Sequence, residues 1–460
     1  MRKLILLIPF LISTLYAKPI NLEDSIEMAL QKNKEMQAEE YNLKSASWSK
    51  YNAFANFLPR VTFNSTIVRI DNETYDQATE MYQLQVLGPT GIPTGDFIPF
   101  SASAMGSGIY QTSYTNKLTI QQPIFNGGKV ILGYQLAALS KNQAQLALEN
   151  KELDIAYTIA STYLNYLKLE EIQKLTGKSL ASSSSHLKKA KAKFETGTVT
   201  KSDVLQWQLK LNNDKTSNFE VENNLNEIKS YWKNLLGSVE DELSPAKIEI
   251  ESYNDEIEVY AGMTEEQITQ EKQMFLQKVK TTSPALNSID LVNKMMKKKL
   301  GLEQGSFLPS VNLQFDYQLE SDDKLNFSGE DNWNLVAAVS VPLFSSGSRY
   351  SKVKQAKYDL MKTRKQSEYT RENYLIAAAN VFTRMITKAK LIMDNKTALE
   401  LAKENQKVIN NLYEQGMVTN SELLDAETMK FSSELNLISS YYDYILTKYE
   451  IKKYMSSMEE

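Results

Sequence analysis

The chain has 460 residues, with 52 Lys+Arg against 56 Asp+Glu and a formal net charge of −4 at pH 7. It has no cysteine and one histidine, His186. Disulfides and thiolate metal sites are therefore excluded, a histidine-based catalytic centre is disfavoured, and the near-balanced charge gives no sign of a nucleic-acid partner.

Residues 1–17 read as a secretory signal peptide. Arg2 and Lys3 form the basic end, Leu4 to Leu15 the apolar core, and Ala17 the cleavage-site residue. An apolar run of about 12 residues is too short to span a bilayer comfortably. No cysteine follows to carry a lipid anchor. No later stretch offers roughly 18 uncharged apolar residues, so the chain enters a membrane only as a β-barrel or on its surface.

Asn21 to Asn56 reads as helix, with Leu22, Ile26, Ala29 and Leu30 at helical spacing and Asn21 or Asp24 as the cap. It ends in Phe57-Leu58-Pro59-Arg60-Val61-Thr62-Phe63, because proline cannot continue a helix. The motif returns in the second half of the chain as Phe307-Leu308-Pro309-Ser310-Val311-Asn312-Leu313. Beyond Pro309, Val311, Leu313, Phe315, Tyr317 and Leu319 alternate with Asn312, Gln314, Asp316, Gln318 and Glu320. Trp333, Leu335, Ala337, Val339 and Val341 repeat the pattern, and weaker alternation follows Pro59 and precedes Pro123. Strands are expected at about 60–70, 113–123, 310–320 and 332–342. One wholly apolar face suits either a half-buried soluble sheet or a membrane barrel wall. The neighbouring helices look too polar to cover such a sheet.

The strands exit through Pro123-Ile124-Phe125-Asn126-Gly127-Gly128 and, in the second half, through Pro342-Leu343-Phe344-Ser345-Ser346-Gly347. The interval from Pro59 to Pro123 is nearly double that from Pro309 to Pro342. The extra residues, which include Gly88 to Gly95, are expected to form a surface loop.

Gly128 to Gly197 and Gly347 to Gly416 are intervals of equal length. A helix filling such an interval is about 100 Å long at 1.5 Å per residue. Leu132, Leu139, Leu146, Leu153, Ala160 and Leu167 fall seven apart, as do Leu424, Phe431, Ile438 and Ile445, a coiled-coil spacing. An interruption of the first long helix is expected around Gly177 and Ser182 to Ser185, and His186 is expected to be a surface residue. Gly197-Thr198-Val199-Thr200 and Gly416-Met417-Val418-Thr419 then break each helix. Thr200 with Asp203 and Thr419 with Glu422 form capping-box pairs that start the next. Between the halves, residues 238–265 read as a small mixed segment, with short strands at Ile248 to Glu251 and Glu256 to Tyr260.

The two Phe-Leu-Pro entries, the two Pro-x-Phe-x-x-Gly exits and the turns Phe194-Glu195-Thr196-Gly197 and Tyr413-Glu414-Gln415-Gly416 share one order and one duplication. In this the mature chain resembles the TolC-type outer-membrane efflux protein family. The resemblance implies a mainly α fold with a membrane β-barrel, built from halves 18–237 and 266–460 around the mixed segment 238–265. Each half would hold two strands and a long helical hairpin, at 128–237 and 347–456. It implies a homotrimer in the outer membrane whose four strands per chain close a twelve-stranded barrel, continued by a periplasmic α-helical tunnel. The partners implied are a periplasmic adaptor protein, an inner-membrane transporter and outer-membrane lipid, with no nucleic acid, cofactor or metal. The function implied is an exit duct for efflux or secretion, not an enzyme. The alternative is a secreted or periplasmic coiled-coil scaffold.

By the same resemblance, Gly197, Thr198, Val199, Gly416, Met417 and Val418 form adaptor-contacting turns. Tyr413, Glu422, Asp425 and Asp203 surround the periplasmic entrance, with a Tyr413–Asp203 hydrogen bond as a closing tie. Val418 stands where the family pattern has a basic residue, which removes any gate bond from that position. Asp203 and Glu422 also have a plain role as helix caps. Asp425 lies beyond the cap, and the uncharged Gln206 occupies its repeat position, so it is either a pore-lining acid or part of a solvated face.

Overall fold

The structure, a computed structural model of the single chain, describes residues 18–101, 110–237, 243–321 and 330–455. The expected signal peptide lies outside the described residues, as do residues 238–242 of the expected mixed segment. Two compact units divide the chain. One comprises the residues up to Ala46, Lys141–Asn293 and those from Thr363 on; the other comprises Ser47–Ser140 and Lys294–Lys362. Each unit draws on both sequence halves.

The second unit holds an antiparallel sheet of four strands, β2 (Arg60–Arg69), β5 (Thr112–Asn126), β7 (Ser310–Ser321) and β8 (Glu330–Ser340), in the order β2-β5-β7-β8. The prolines set its ends. Pro59 and Pro309 precede β2 and β7, and the ladder between β5 and β7 shifts register between Pro123 and Phe125. The extra residues of the first half are more than a loop. They form a short helix, α3 (Asn72–Thr79), capped by Asp71, and a hairpin of β3 (Met81–Leu87) and β4 (Pro93–Ser101). Gly88 and Ile92 close that hairpin through a 2.8 Å backbone bond, and Gly91 supplies a positive φ.

The first unit is mostly helical. Residues 21–56 do not form one helix: α1 (Leu22–Lys32) and α2 (Lys34–Ala55) are separated by Asn33, whose backbone is extended. The Asn33 side chain accepts from Glu35 N, so the asparagine that stops one helix caps the next. The same break recurs in the second half of the chain, where buried Ser283 separates α7 (Glu265–Thr282) from α8 (Pro284–Gly305). There Pro284 holds the preceding residue extended and starts the new helix.

Two helices of 67 residues dominate the chain, α4 (Lys129–Glu195) and α9 (Ser348–Glu414). Their partners are α5 (Lys201–Leu235) and α10 (Asn420–Lys453). No interruption occurs at Gly177 or Ser182 to Ser185. One glycine costs a helix about 1 kcal/mol, too little to break 67 packed residues. Ser183 is buried and returns its hydroxyl to Leu180 O within the helix.

The mixed segment differs from expectation too. Its short strand is β6 (Leu243–Pro245), which pairs in parallel with β1 (Lys18–Ile20). The two stretches expected as strands are a 3-10 turn at Ile250–Tyr253 and a helix, α6 (Asn254–Ala261). Alternation would have buried Val259 with Ile257. Instead Ile257 is buried and Val259 exposed, and Tyr253, Ile257 and Tyr260 pack on the core at helical spacing. Asp255 and Glu256 in the first turn of α6 suit its positive end. The core gathers Tyr163, Leu164 and Leu167 of α4, Trp232 of α5, Ile257, Phe275 of α7, Phe382 and Ile386 of α9, and Tyr444 and Ile445 of α10.

Candidate functional site: helical turns and strand faces

In the first unit, both glycine turns close in the same way. Gly197 and Gly416 each have φ +73, a conformation glycine adopts without steric cost. Thr198 N donates to Lys193 O at 2.8 Å and Met417 N to Leu412 O at 2.9 Å, the wide loop of a Schellman cap. Val199 and Val418 are half-buried, while Gly197, Thr198, Gly416 and Met417 are exposed. Three residues on, Thr200 and Thr419 start α5 and α10 with complete capping boxes. Asp203 Oδ2 accepts from Thr200 N at 2.8 Å, and Glu422 Oε2 accepts from Thr419 N at 2.7 Å. The backbone and hydroxyl bonds from Thr419 hold the Glu422 carboxyl below its usual range.

A small apolar cluster lies beside these turns, built from Leu187 and Ala190 of α4, Trp207 of α5 and Leu423 of α10. Tyr413, half-buried against it, lies under the Lys193 ammonium, 4.6 Å from the ring centroid. Burial first, then the Asp203 charge, push the Tyr413 hydroxyl above its usual range. The expected Tyr413–Asp203 hydrogen bond is not among those of the described residues; the Asp203 carboxylate is engaged in the cap. Asp425 is exposed, and no hydrogen bond or ion pair engages it among the described residues.

Several polar residues here were not singled out in the sequence. Trp207, 2% exposed, donates its Nε1–H to Asn420 Oδ1 at 2.5 Å. Asn420 in turn donates to Gln206 Oε1 at 2.7 Å, joining α5 to α10. His186 is half-buried rather than freely exposed: its ring stacks on Trp207 at 4.4 Å between centroids and 10° between planes. Its Nε2 lies 3.7 Å from Glu427 Oε1, which also accepts from Gln406 Nε2 at 2.8 Å.

In the second unit, paired residues share a face, so the register sorts the sheet. Val61, Phe63 and Ile67 of β2 lie on one face with Leu118 and Ile120 of β5, Leu313, Phe315 and Tyr317 of β7, and Trp333, Leu335 and Val339 of β8. The other face carries Thr62, Asn64, Lys117, Thr119, Gln121, Gln314, Asp316, Gln318 and Asn334. On it Asp316 is buried among Thr119, Gln314 and Lys117. On the apolar face the edge strands are exposed, with Trp333 67% and Val339 66% exposed, while Leu118, Ile120, Leu313, Phe315 and Tyr317 of the central strands are half-buried and Asn116 is buried. At the exit motif, Leu343 and Phe344 are 92% and 86% exposed.

No helix of the described residues is long and apolar enough to cross a membrane. Nor do His, Cys, Asp or Glu gather among them in a group of three or more able to hold a metal ion. Residues 25–238 and 275–455 match the family described as outer membrane efflux protein. The chain belongs to this family. The outer membrane efflux protein BepC of Brucella suis is 19% identical over 388 residues, 84% of this chain and 79% of that protein. The outer membrane protein TolC of Salmonella enteritidis is 20% identical over 363 residues, 77% and 71% of the two chains. The fold matches the CmeC outer membrane channel of Campylobacter jejuni with a TM-score of 0.73 at 15% identity, covering 94% of this chain and 85% of that one. This outer membrane efflux protein is thus a transport protein of TolC type, not an enzyme.

Proposed function

We propose that the chain is one subunit of a homotrimeric exit duct that carries substrates of an inner-membrane transporter through the periplasm and the outer membrane. The observation that carries this reading is the four-stranded sheet, with one mainly apolar face exposed along its edge strands, one mainly polar face and, among the described residues, two edges, β2 and β8, with no strand neighbour. A sheet edge cannot stand open in lipid, where each unpaired backbone group costs several kcal/mol. Four strands are also too few to close a barrel. Three copies, each pairing β2 with the β8 of the next, make twelve strands and leave no edge. The apolar face then meets lipid and the polar face lines the lumen.

In this reading the long hairpins α4–α5 and α9–α10 continue the barrel as a tunnel. The turns at Gly197, Thr198, Val199, Gly416, Met417 and Val418 meet a periplasmic adaptor, and Tyr413, Asp203, Glu422 and Asp425 surround the entrance. Asp425 is the carboxylate free to face the pore, since capping engages Asp203 and Glu422. The deciding experiment is single-channel conductance of the detergent-purified protein in a planar bilayer. Stable, cation-preferring conductance from a trimer supports the duct. A detergent-independent, non-conducting protein overturns it in favour of a periplasmic scaffold.

A further inference from the structure

We infer that β3 presents an open strand edge that accepts an extended peptide of alternating apolar and basic residues by strand addition. Pro99 of β4 fixes which backbone groups face outward. It is paired with Gln83 and has no N–H, so these two residues exchange no hydrogen bonds. The cross-strand bonds then belong to the pairs Tyr82–Phe100 and Leu84–Ile98. Met81, Gln83 and Gln85 turn their N–H and C=O groups away from β4. All three residues are exposed, and among the described residues β4 is the only strand beside β3.

The two edges of this hairpin differ. Sheet edges are ordinarily blunted by proline or charge. On β4, Pro93 and Pro99 remove outward donors and Asp96 adds a charge. β3 reads Met81-Tyr82-Gln83-Leu84-Gln85-Val86-Leu87, with no proline, glycine or charged residue. Tyr82, Leu84, Ile98 and Phe100 share one face of the hairpin, and the first three are exposed. A strand added beside β3 gains main-chain hydrogen bonds from the edge, and its alternate side chains extend this apolar face.

Charge selects the other side chains of the peptide. Between Arg69 and Lys117 the sequence has no lysine, arginine or histidine, whereas Asp71, Glu73, Asp76, Glu80 and Asp96 are all exposed. A strand with basic residues complements them. A second copy of the chain does not fit. Around a three-fold axis β3 would meet the β4 of the next copy, where the prolines stand. Pairing β3 with β3 needs a two-fold axis and brings like charges together. The hairpin follows the end of β2 opposite Pro59 and α2. In the duct reading that end lies outside the cell, so the peptide belongs to an extracellular partner. This placement rests on that reading; the open edge does not.

The test uses the full-length protein in phosphatidylcholine nanodiscs and a short fluorescent peptide of alternating valine and lysine, with binding read by polarisation. Gln83→Pro removes one outward N–H and leaves the bonds to β4 intact, so it should weaken binding roughly tenfold, about the worth of one hydrogen bond with its geometry. Gln83→Ala should bind as the wild type does. A backbone N-methylated peptide, and one with glutamate in place of lysine, should each bind at least roughly tenfold more weakly. Hydrogen exchange at Met81, Gln83 and Gln85 should slow when the peptide is added. Absence of binding, or equal binding by Gln83→Pro or by the N-methylated peptide, overturns the acceptor edge. Protection of the three amides by the nanodisc lipid alone also overturns it, because the hairpin then lies on the bilayer. A protein that binds the peptide as expected but never conducts overturns the duct and leaves the acceptor edge standing.

Discussion

Gly127 and Gly305 stand backbone to backbone in the second unit: a methyl group added to either glycine would collide with the carbonyl oxygen of the other. Gly127 also has φ +68, whereas Gly305 ends α8 with no such demand. The contact packs the exit turn of β5 against the last turn of α8.

Gly305→Ala is therefore expected to destabilise the protein by about 1–3 kcal/mol, the usual cost of forcing extra volume into a packed site. Gly177→Ala, in open space on α4, should be neutral or stabilising by up to about 1 kcal/mol. Thermal unfolding of the two variants in one detergent checks the contrast. Equal effects would remove the steric argument.

The caps at the turns respond to pH through Glu422. Its carboxyl is lowered in the folded protein, so its contribution is complete above the ordinary glutamate value and lost as pH falls through the lowered one. Exchange of the first-turn amides of α10 should accelerate, relative to intrinsic rates, only in acid below about pH 4.5. Thr419→Ala should raise the same exchange at every pH, by about 1 kcal/mol of local stability.

Tyr444 anchors α6 to α10. Its ring is fully buried, its hydroxyl donates to Glu256 at 2.8 Å, and Lys448 reaches the other oxygen of that carboxylate at 2.6 Å. Tyr444→Phe removes one partner from a half-buried charge and should cost about 1.5–3 kcal/mol. Urea unfolding measures it, and a loss below a few tenths would show that Lys448 alone satisfies Glu256.

The sheet faces predict opposite outcomes for one chemical change. Leu335→Arg puts a charge on the apolar face at a cost of about 2–4 kcal/mol near a bilayer midplane. Gln318→Arg puts it on the polar face and should be tolerated. Outer-membrane fractionation of the two variants separates them. Equal recovery of both in the membrane would contradict the lipid-facing assignment.

In the proposed duct, Asp425 is the entrance carboxylate that no helix cap engages. Glu422 and Asp425 from three copies would crowd six acids near one axis, which attracts cations. Asp425→Asn should weaken block by multivalent cations while leaving folding unchanged, as measured by conductance against cation concentration. Unaltered block would return Asp425 to a solvated helix face.

The four strands of the larger sheet, the two long helices α4 and α9, their glycine turns and their capping boxes were legible because each rests on local rules. These are alternation within a strand, proline at its end, glycine at positive φ, and a threonine three residues before an acid. Locality also explains the misreadings. Glu256 to Tyr260 alternates like a strand, but its helix is settled by Ile257 packing on a distant core. Gly177 and the serines after it look like a break, but the contacts of a long helix outweigh about 1 kcal/mol. What only the tertiary structure decided are the pairings between halves: Gly127 with Gly305, Trp207 with Asn420, His186 with Glu427. Each joins residues from elements far apart in the chain, and the duplication points to none of them because the matching repeat positions hold different residues. The chain's local chemistry settled which elements form. Close packing between them settled which side chains meet, because steric fit and hydrogen-bond partners exist only once the elements are in place.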